Sequence, residues 1–552
     1  MDSFFNSNKN KRNNAFDIFL FLAISLFLSN DISAQRWGYV IFKDKGIHSN
    51  DYQQHFSIEA QNRRAMQNIP WDERDAPVNE AYISIIENYS DTTFGASRWL
   101  NALIIGASEN SWKKIAELPF VREIEFLSEQ PIVQAEFQFT KTDTSKTSNY
   151  ETREAQNQTA LLEPKIFQEH LLNGKNIVIA VLDAGFSETN KVEHLSHLFS
   201  NNQIIATKDF LKKTEDVFSH SVHGTEVLTY LAGKTDSVLY GLAPEATYAL
   251  ARVTPNMGFF RFLNDVQWIE ALEWADEIGA SLVNSSLSFT SQLYERNNLN
   301  GRSCKISIAA NTAMDKGILV INAAGNELQS DWEIIGAPGD AERILTVGSV
   351  DPKNGYVSNF SSVGPTADGR LKPDICAPGE LLYPDGSKFK HIQGTSFATP
   401  LVCGFAACVK QLHPEWTAEK LWTEIRKSGS LYPYFDYAHG FGIPQASYFF
   451  SQEKEKPNVY SVHFRANEND TVPSENTDQL ILERLDGKEI DETYKGPVAF
   501  IQFVKSSGEV FKYTVSRPLS NVISSIKASD YVGCKLRIVY DRHFFEIPIP
   551  QR

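Results

Sequence analysis

From Asn176 onward the chain alternates short, continuously apolar runs with amphipathic ones, and this alternation restricts the fold more than any other feature. Ile177 to Leu182, Tyr248 to Val253, Leu282 to Ser286, Ile318 to Ala323 and Ile344 to Val350 have the length and continuity of buried strands. Between them, helices are predicted at Thr225 to Ala232, Asp265 to Ile278 and Ile306 to Asp315; the second repeats apolar residues at Val266, Ile269, Leu272 and Trp274. Strands apolar on both faces and separated by helices imply an α/β fold, a parallel sheet with helices on both faces. Open sheets of this kind carry their sites beyond the carboxyl ends of the strands. Asp183 directly follows the first strand, and Asn326 lies just beyond the fourth.

A second constraint is the stretch Gly394-Thr395-Ser396-Phe397-Ala398-Thr399-Pro400. The residues after it, to Leu412, are apolar with small residues interleaved, as in a helix buried on most sides. Ser396 therefore sits rigidly at a helix start, where unpaired N–H groups and the helix dipole favour negative charge. A lone serine at such a place is ordinarily just a cap. Three other stretches argue for more. Val181-Leu182-Asp183-Ala184-Gly185-Phe186 ends a strand in an acid, Val222-His223-Gly224-Thr225-Glu226 opens a helix with a histidine, and Ile321-Asn322-Ala323-Ala324-Gly325-Asn326 ends a strand in an amide.

Taken together, LDAGF, HGTEV, AAGN, NFSSVGP with TADGRLKPD, and GTSFATP resemble the motifs of the subtilisin-like serine proteases, the subtilases, over about Gly174 to Ala446. The order Asp, His, Ser is the one that family uses. The resemblance implies a subtilisin-like three-layer fold in a serine endopeptidase working through an acyl-enzyme. Ser396 would be the nucleophile, His223 the general base and then acid, and Asp183 the group orienting the imidazole. Asn326, with the Ser396 backbone N–H, would form the oxyanion hole. Ser286, Leu287 and Ser288 resemble the segment that pairs with substrate as an added strand. Many relatives have glycine where Ser288 stands, so its side chain is expected to narrow the pocket for the first substrate residue, whose other wall would be Ala323, Ala324 and Gly325. Glu327 is a candidate for favouring a basic substrate residue. No catalytic metal or other required cofactor is expected; the family's use of calcium leaves room for a structural ion, although no acidic cluster here has ligand spacing. His194, His197 and His220 are read as polar surface residues.

The rest of the chain fits that organisation. Residues 1–34 have a basic patch (Lys9, Lys11, Arg12), an apolar core from Ile18 to Leu28 and a small-residue end at Ile32-Ser33-Ala34, as in a signal peptide; the apolar run is too short for a span. Export as a secreted protein, with no membrane span left after signal removal, follows from it. Residues 36–148 comprise a small α+β unit, with strands at Tyr39 to Phe42 and Val121 to Phe126 and helices around Ser57 to Gln67 and Trp112 to Leu118. Thr140 to Gln158 reads as an exposed polar linker. By the resemblance this unit is a propeptide that acts as an intramolecular inhibitor and is removed between Ile132 and Gln158. The catalytic domain is assigned to 149–452, and a charged break at Gln452 to Asn458 leads to a small antiparallel β domain over 457–552. A net charge of −15 argues against nucleic acid as a partner; the resemblance implies proteins or peptides as substrates. The cysteines, Cys304, Cys376, Cys403, Cys408 and Cys534, have no metal-site spacing and read as buried small hydrophobes.

Overall fold

The computed structural model describes residues 36–46, 51–127, 149–254, 264–290, 294–450, 459–466, 477–490, 498–516, 518, 521–541 and 543–550. The stretch read as a signal peptide, the linker before Asn149 and the break at 452–458 lie outside the described residues. Two compact units result, one of residues 1–54 and 71–131, the other of residues 55–70 and 132–552.

In the first unit, β1 (Arg36–Phe42), β2 (Thr92–Ser97), β3 (Ala102–Ala107) and β4 (Val121–Phe126) form an antiparallel sheet in the order β2-β3-β1-β4. Two helices, Glu80–Glu87 and Glu109–Ala116, begin at caps: Asn79 accepts from Ala81 N and Ser108 from Ser111 N. Val40, Phe42, Leu103, Ile105, Trp112 and Ile115 make its core.

The second unit is built on a seven-stranded parallel sheet. β5 (Val178–Asp183), β6 (Ile204–Asp209), β7 (Thr247–Arg252), β8 (Leu282–Ser285), β9 (Leu319–Ala323), β10 (Leu345–Val350) and β11 (Ile375–Pro378) lie in the order β11-β10-β9-β8-β5-β7-β6. Every pairing between them is parallel. The helices His223–Ala232 and Thr395–Leu412 pack on each other in one layer, and Asn264–Glu277 and Lys305–Asp315 in another. Residues Thr395 to Lys410 of the serine helix are all buried, as their composition predicts. A hairpin, β12 (Glu380–Asp385) with β13 (Lys388–Gln393), delivers the chain to Gly394 at the start of that helix.

Sequence and structure differ in three places. β6 and β11 were not among the expected strands; both are edge strands, one partly exposed with Thr207 and Lys208 in it, the other buried but only four residues long and ending in proline. The polar stretch expected to be exposed through Gln158 is a helix over Asn149–Asn157. Its one inward alanine, Ala155, is fully buried with Val238, Tyr240 and Leu382, and Gln158 exchanges two hydrogen bonds with the Leu382 backbone. His194, expected at the surface, is 5% exposed, with its Nε2 3.0 Å from Thr229 Oγ1.

Cys304, Cys376, Cys403 and Cys408 are buried, Cys534 is half-buried, and all five are free. The last strands, β14 (Tyr460–Ala466), β15 (Asp478–Arg484), β16 (Ala499–Val504), β17 (Val510–Ser516), β18 (Val522–Ile526), β19 (Lys535–Tyr540) and β20 (His543–Pro548), form two antiparallel sheets, β14-β15-β18 and β17-β16-β19-β20. They enclose a separate core that includes Leu480, Ile501, Leu536 and Ile538. No helix among the described residues is long and apolar enough to cross a membrane.

Candidate active site

Four segments meet at the carboxyl edge of the sheet. Asp183 is the last residue of β5 and is fully buried. Its Oδ1 accepts the Ala184 backbone N–H at 2.7 Å and lies 2.8 Å from His223 Nδ1. A carboxylate can only accept here, so the proton sits on Nδ1 and the His223 Nε2 lone pair is left for another partner. The His223 backbone N–H in turn donates to Ser221 Oγ at 3.1 Å, fixing the start of its helix.

The pKa of His223 reflects opposed causes. Burial favours the neutral ring, but the charge of Asp183, its hydrogen bond and the nearby Glu226 carboxylate together outweigh burial and leave the pKa raised above the ordinary 6.5. Glu226 is itself buried and held by Lys390 Nζ at 3.0 Å.

Ser396 lies in the first turn of the Thr395–Leu412 helix. Its hydroxyl donates to the Ser286 carbonyl at 3.1 Å, while Ser286 Oγ donates to the Ser396 carbonyl at 2.8 Å. The segment after β8 is thereby fastened to the serine. The ring of Phe397, the next residue, has its centroid 5.8 Å from that of His223.

Asn326 follows β9 and is exposed to the cleft. Its Oδ1 accepts from Thr395 N at 2.9 Å and from Thr395 Oγ1 at 3.0 Å. With the amide oxygen fastened in this way, the Nδ2 donor faces away from Thr395 and is available for an anion. Sequence reasoning left Thr395 without a role; only its place between Gly394 and Ser396 hinted at one. The same holds for Asn322, whose buried Nδ2 donates to Leu287 O at 3.1 Å and Ala323 O at 2.7 Å, tying the segment after β8 to the end of β9.

Ser286, Leu287 and Ser288 directly follow β8, and Ala323, Ala324 and Gly325 stand at and just beyond the end of β9. Ser288 fills the space between two glycines: a Cβ built on Gly325 would lie 2.8 Å from Ser288 Oγ, and one built on Gly336 only 2.4 Å from it. That hydroxyl is buried and has no hydrogen-bond partner among the described residues. Glu327 Oε2 accepts from Ser330 Oγ at 2.8 Å, a local turn contact. Among the described residues, no group of three or more His, Cys, Asp or Glu side chains is placed to hold a metal ion.

A buried carboxylate, an imidazole, a helix-start hydroxyl and a fastened amide on a parallel α/β sheet define the constellation of nucleophilic serine hydrolysis. The family model described as Subtilase family matches residues 174–442, and one described as Peptidase S8 propeptide domain, Bacteroidota, matches 38–147. Subtilisin BL of Lederbergia lenta is 30% identical over 263 residues, covering 47% of this chain and 85% of that protein. Serine protease AprX of Bacillus subtilis (strain 168) is 30% identical over 291 residues, covering 47% of this chain and 62% of its own length. The crystal structure of MycP1 from Mycobacterium smegmatis superposes with a TM-score of 0.41 at 21% identity, over 54% of this chain and 84% of that one. The chain belongs to the subtilase family and carries that family's propeptide domain ahead of the catalytic one.

Proposed function

We propose that the chain is a secreted endopeptidase that hydrolyses protein or peptide substrates through an acyl-enzyme. A substrate strand pairs with Ser286 to Ser288, its scissile carbonyl over Ser396. Rotation of the hydroxyl away from Ser286 O brings Oγ to His223 Nε2, which takes its proton as Oγ attacks the carbonyl carbon. The oxyanion is held by Asn326 Nδ2 and the Ser396 N–H. His223 then gives its proton to the departing amine; a water, deprotonated by the same ring, releases the acid and restores Ser396. Asp183 stabilises the imidazolium at both stages. These steps use protein side chains, one backbone N–H and water, and none is routed through a metal ion. The observation that carries the reading is the pairing of Asp183 with His223 across from an amide whose oxygen is tied back by Thr395.

Ser288 gives the specificity its direction. With its side chain between Gly325 and Gly336, the slot beside Ser396 suits a small first residue rather than a large aromatic one. The basic, then apolar, then small-residue order of the first 34 residues supports export. The propeptide match supports an inhibitor domain severed before Gln158. A peptide library presented to the secreted protein tests all but the last point. Cleavage after Ala, Ser or Gly that vanishes in Ser396→Ala and falls by about 10²–10³ in Asn326→Ala is expected. Cleavage surviving Ser396→Ala overturns the reading.

A further inference from the structure

One segment inside the propeptide match, residues 55–70, belongs to the same compact unit as the seven-stranded sheet. Its centre is the helix Ile58–Gln67, which buries Ala60, Arg63, Arg64 and Gln67, a single face at helical spacing. That face meets the ends of three catalytic helices. Arg63 donates to Ala280 O at 2.7 Å and binds the Asp276 carboxylate, and Arg64 reaches the other oxygen of Asp276 at 2.8 Å. Gln67 Nε2 donates to Gly317 O at 2.9 Å while its Oε1 accepts from Ala418 N at 2.9 Å. Ser57 N donates to Glu277 O at 2.8 Å.

The backbone groups among these lie where helices end or begin: carbonyls at and just after the ends of Asn264–Glu277 and Lys305–Asp315, and a first-turn N–H of Ala418–Lys427. Asp276 sits in the last turn of its helix, where the dipole already concentrates negative charge, and two guanidinium groups offset it. The fit is also steric. A Cβ on Gly279 would lie 2.4 Å from Glu59 Cβ, and one on Gly317 would lie 2.6 Å from Ile69 Cδ1.

Gly279 and Gly317 precede β8 and β9, so the seat lies at the amino edge of the sheet, whereas Ser286 and Asn326 lie beyond the carboxyl edge. The length of β9 alone separates the two by roughly 16 Å. We propose that the Ile58–Gln67 helix is an anchor holding the propeptide on the catalytic unit independently of the substrate cleft. A severed propeptide then stays bound when the cleft is emptied or filled by something else, and it leaves the enzyme only as this helix lets go. The seat is chiefly polar, so its carbonyls, N–H and carboxylate pass to water on release. The inference rests on the protease reading and assigns retention of the severed propeptide to a surface remote from the chemistry.

The test uses the full chain, expressed and allowed to process, then reacted to completion with a peptidyl phosphonate that fills the cleft. Gel filtration with mass spectrometry follows the N-terminal fragment. It is expected to co-elute with the catalytic unit in the wild type, and to be lost roughly 10- to 100-fold faster in Arg63→Ala/Arg64→Ala and in Asp276→Asn, which alters the other side of the same contact. Departure of the wild-type fragment on phosphonate addition overturns the anchor whatever the variants do, as does retention at the wild-type rate in both variants. If no phosphonate adduct forms, the protease reading falls instead. Amide exchange of the uncleaved chain then decides the anchor: slow exchange over 58–67 that speeds up in the Arg63→Ala/Arg64→Ala chain supports it, and free exchange in the wild type contradicts it.

Discussion

His223 is poised by charge against burial, and Glu226 is the member of that balance open to substitution without touching the pair itself. Because the folded-state pKa of His223 is raised, the neutral base is lost as pH falls through a value above 6.5, so kcat/KM is expected to rise with pH through a midpoint above it. Glu226→Gln removes one of the charges holding the proton, and the midpoint should move to lower pH by a few tenths of a unit or more. A pH–rate profile that keeps its midpoint, or moves it upward, contradicts this account of the site's electrostatics. Asp183, His223, Asn326 and Ser396 were legible in the sequence because each occupies a short motif at an element's end. Thr395 and Asn322 were not, because a buried polar side chain that fastens a neighbour leaves no pattern of its own. The glycines at 325 and 336 are visible as letters, but that Ser288 occupies the space between them is a fact of three segments meeting.

At the scale of elements, the central strands announced themselves and the edges did not, since β6 is partly exposed and mixes polar residues with apolar ones, while β11, though buried, is only four residues long and ends in proline. The Asn149–Asn157 helix was hidden for a related reason: it faces inward through one alanine, too little to set a period. His194, at a short helical turn before β6, packs against Tyr240 and Tyr383 with ring centroids at 5.9 and 5.7 Å. Burial, aided by His197, lowers its pKa to about 4, and burial with Lys234 does the same to His197. Both rings bind protons more readily when unfolded, so their contribution is complete above about 6.5 and is lost as pH falls toward 4. For His194 that amounts to about 3 kcal/mol at most. Denaturant midpoints should therefore fall over this range, and His194→Gln should flatten part of the slope; an unchanged slope would mean that His194 is already charged in the folded protein.

Over the whole molecule, the C-terminal β domain is joined to the catalytic domain by more than its connecting chain. Leu431 shares a buried cluster with Phe500, Val515 and Val539, Gln502 Nε2 donates to the buried Asp436 carboxylate at 3.1 Å, and Tyr356 OH donates to Val515 O at 2.7 Å. A sequence of alternating strands predicts the domain but not this docking, which depends on side chains contributed by both. Gln502→Ala leaves Asp436 short of a donor and should cost about 1–3 kcal/mol in thermal or denaturant unfolding. An unchanged stability would show the contact to be dispensable. The central claim concerns Ser396, and covalent labelling tests it most directly. The full chain, expressed and given time to process, then treated with a fluorophosphonate probe alongside Ser396→Ala, should carry the label on the peptide containing Ser396 and on none in the variant. A folded, processed wild type that takes no label, or a label mapping elsewhere, would contradict the account.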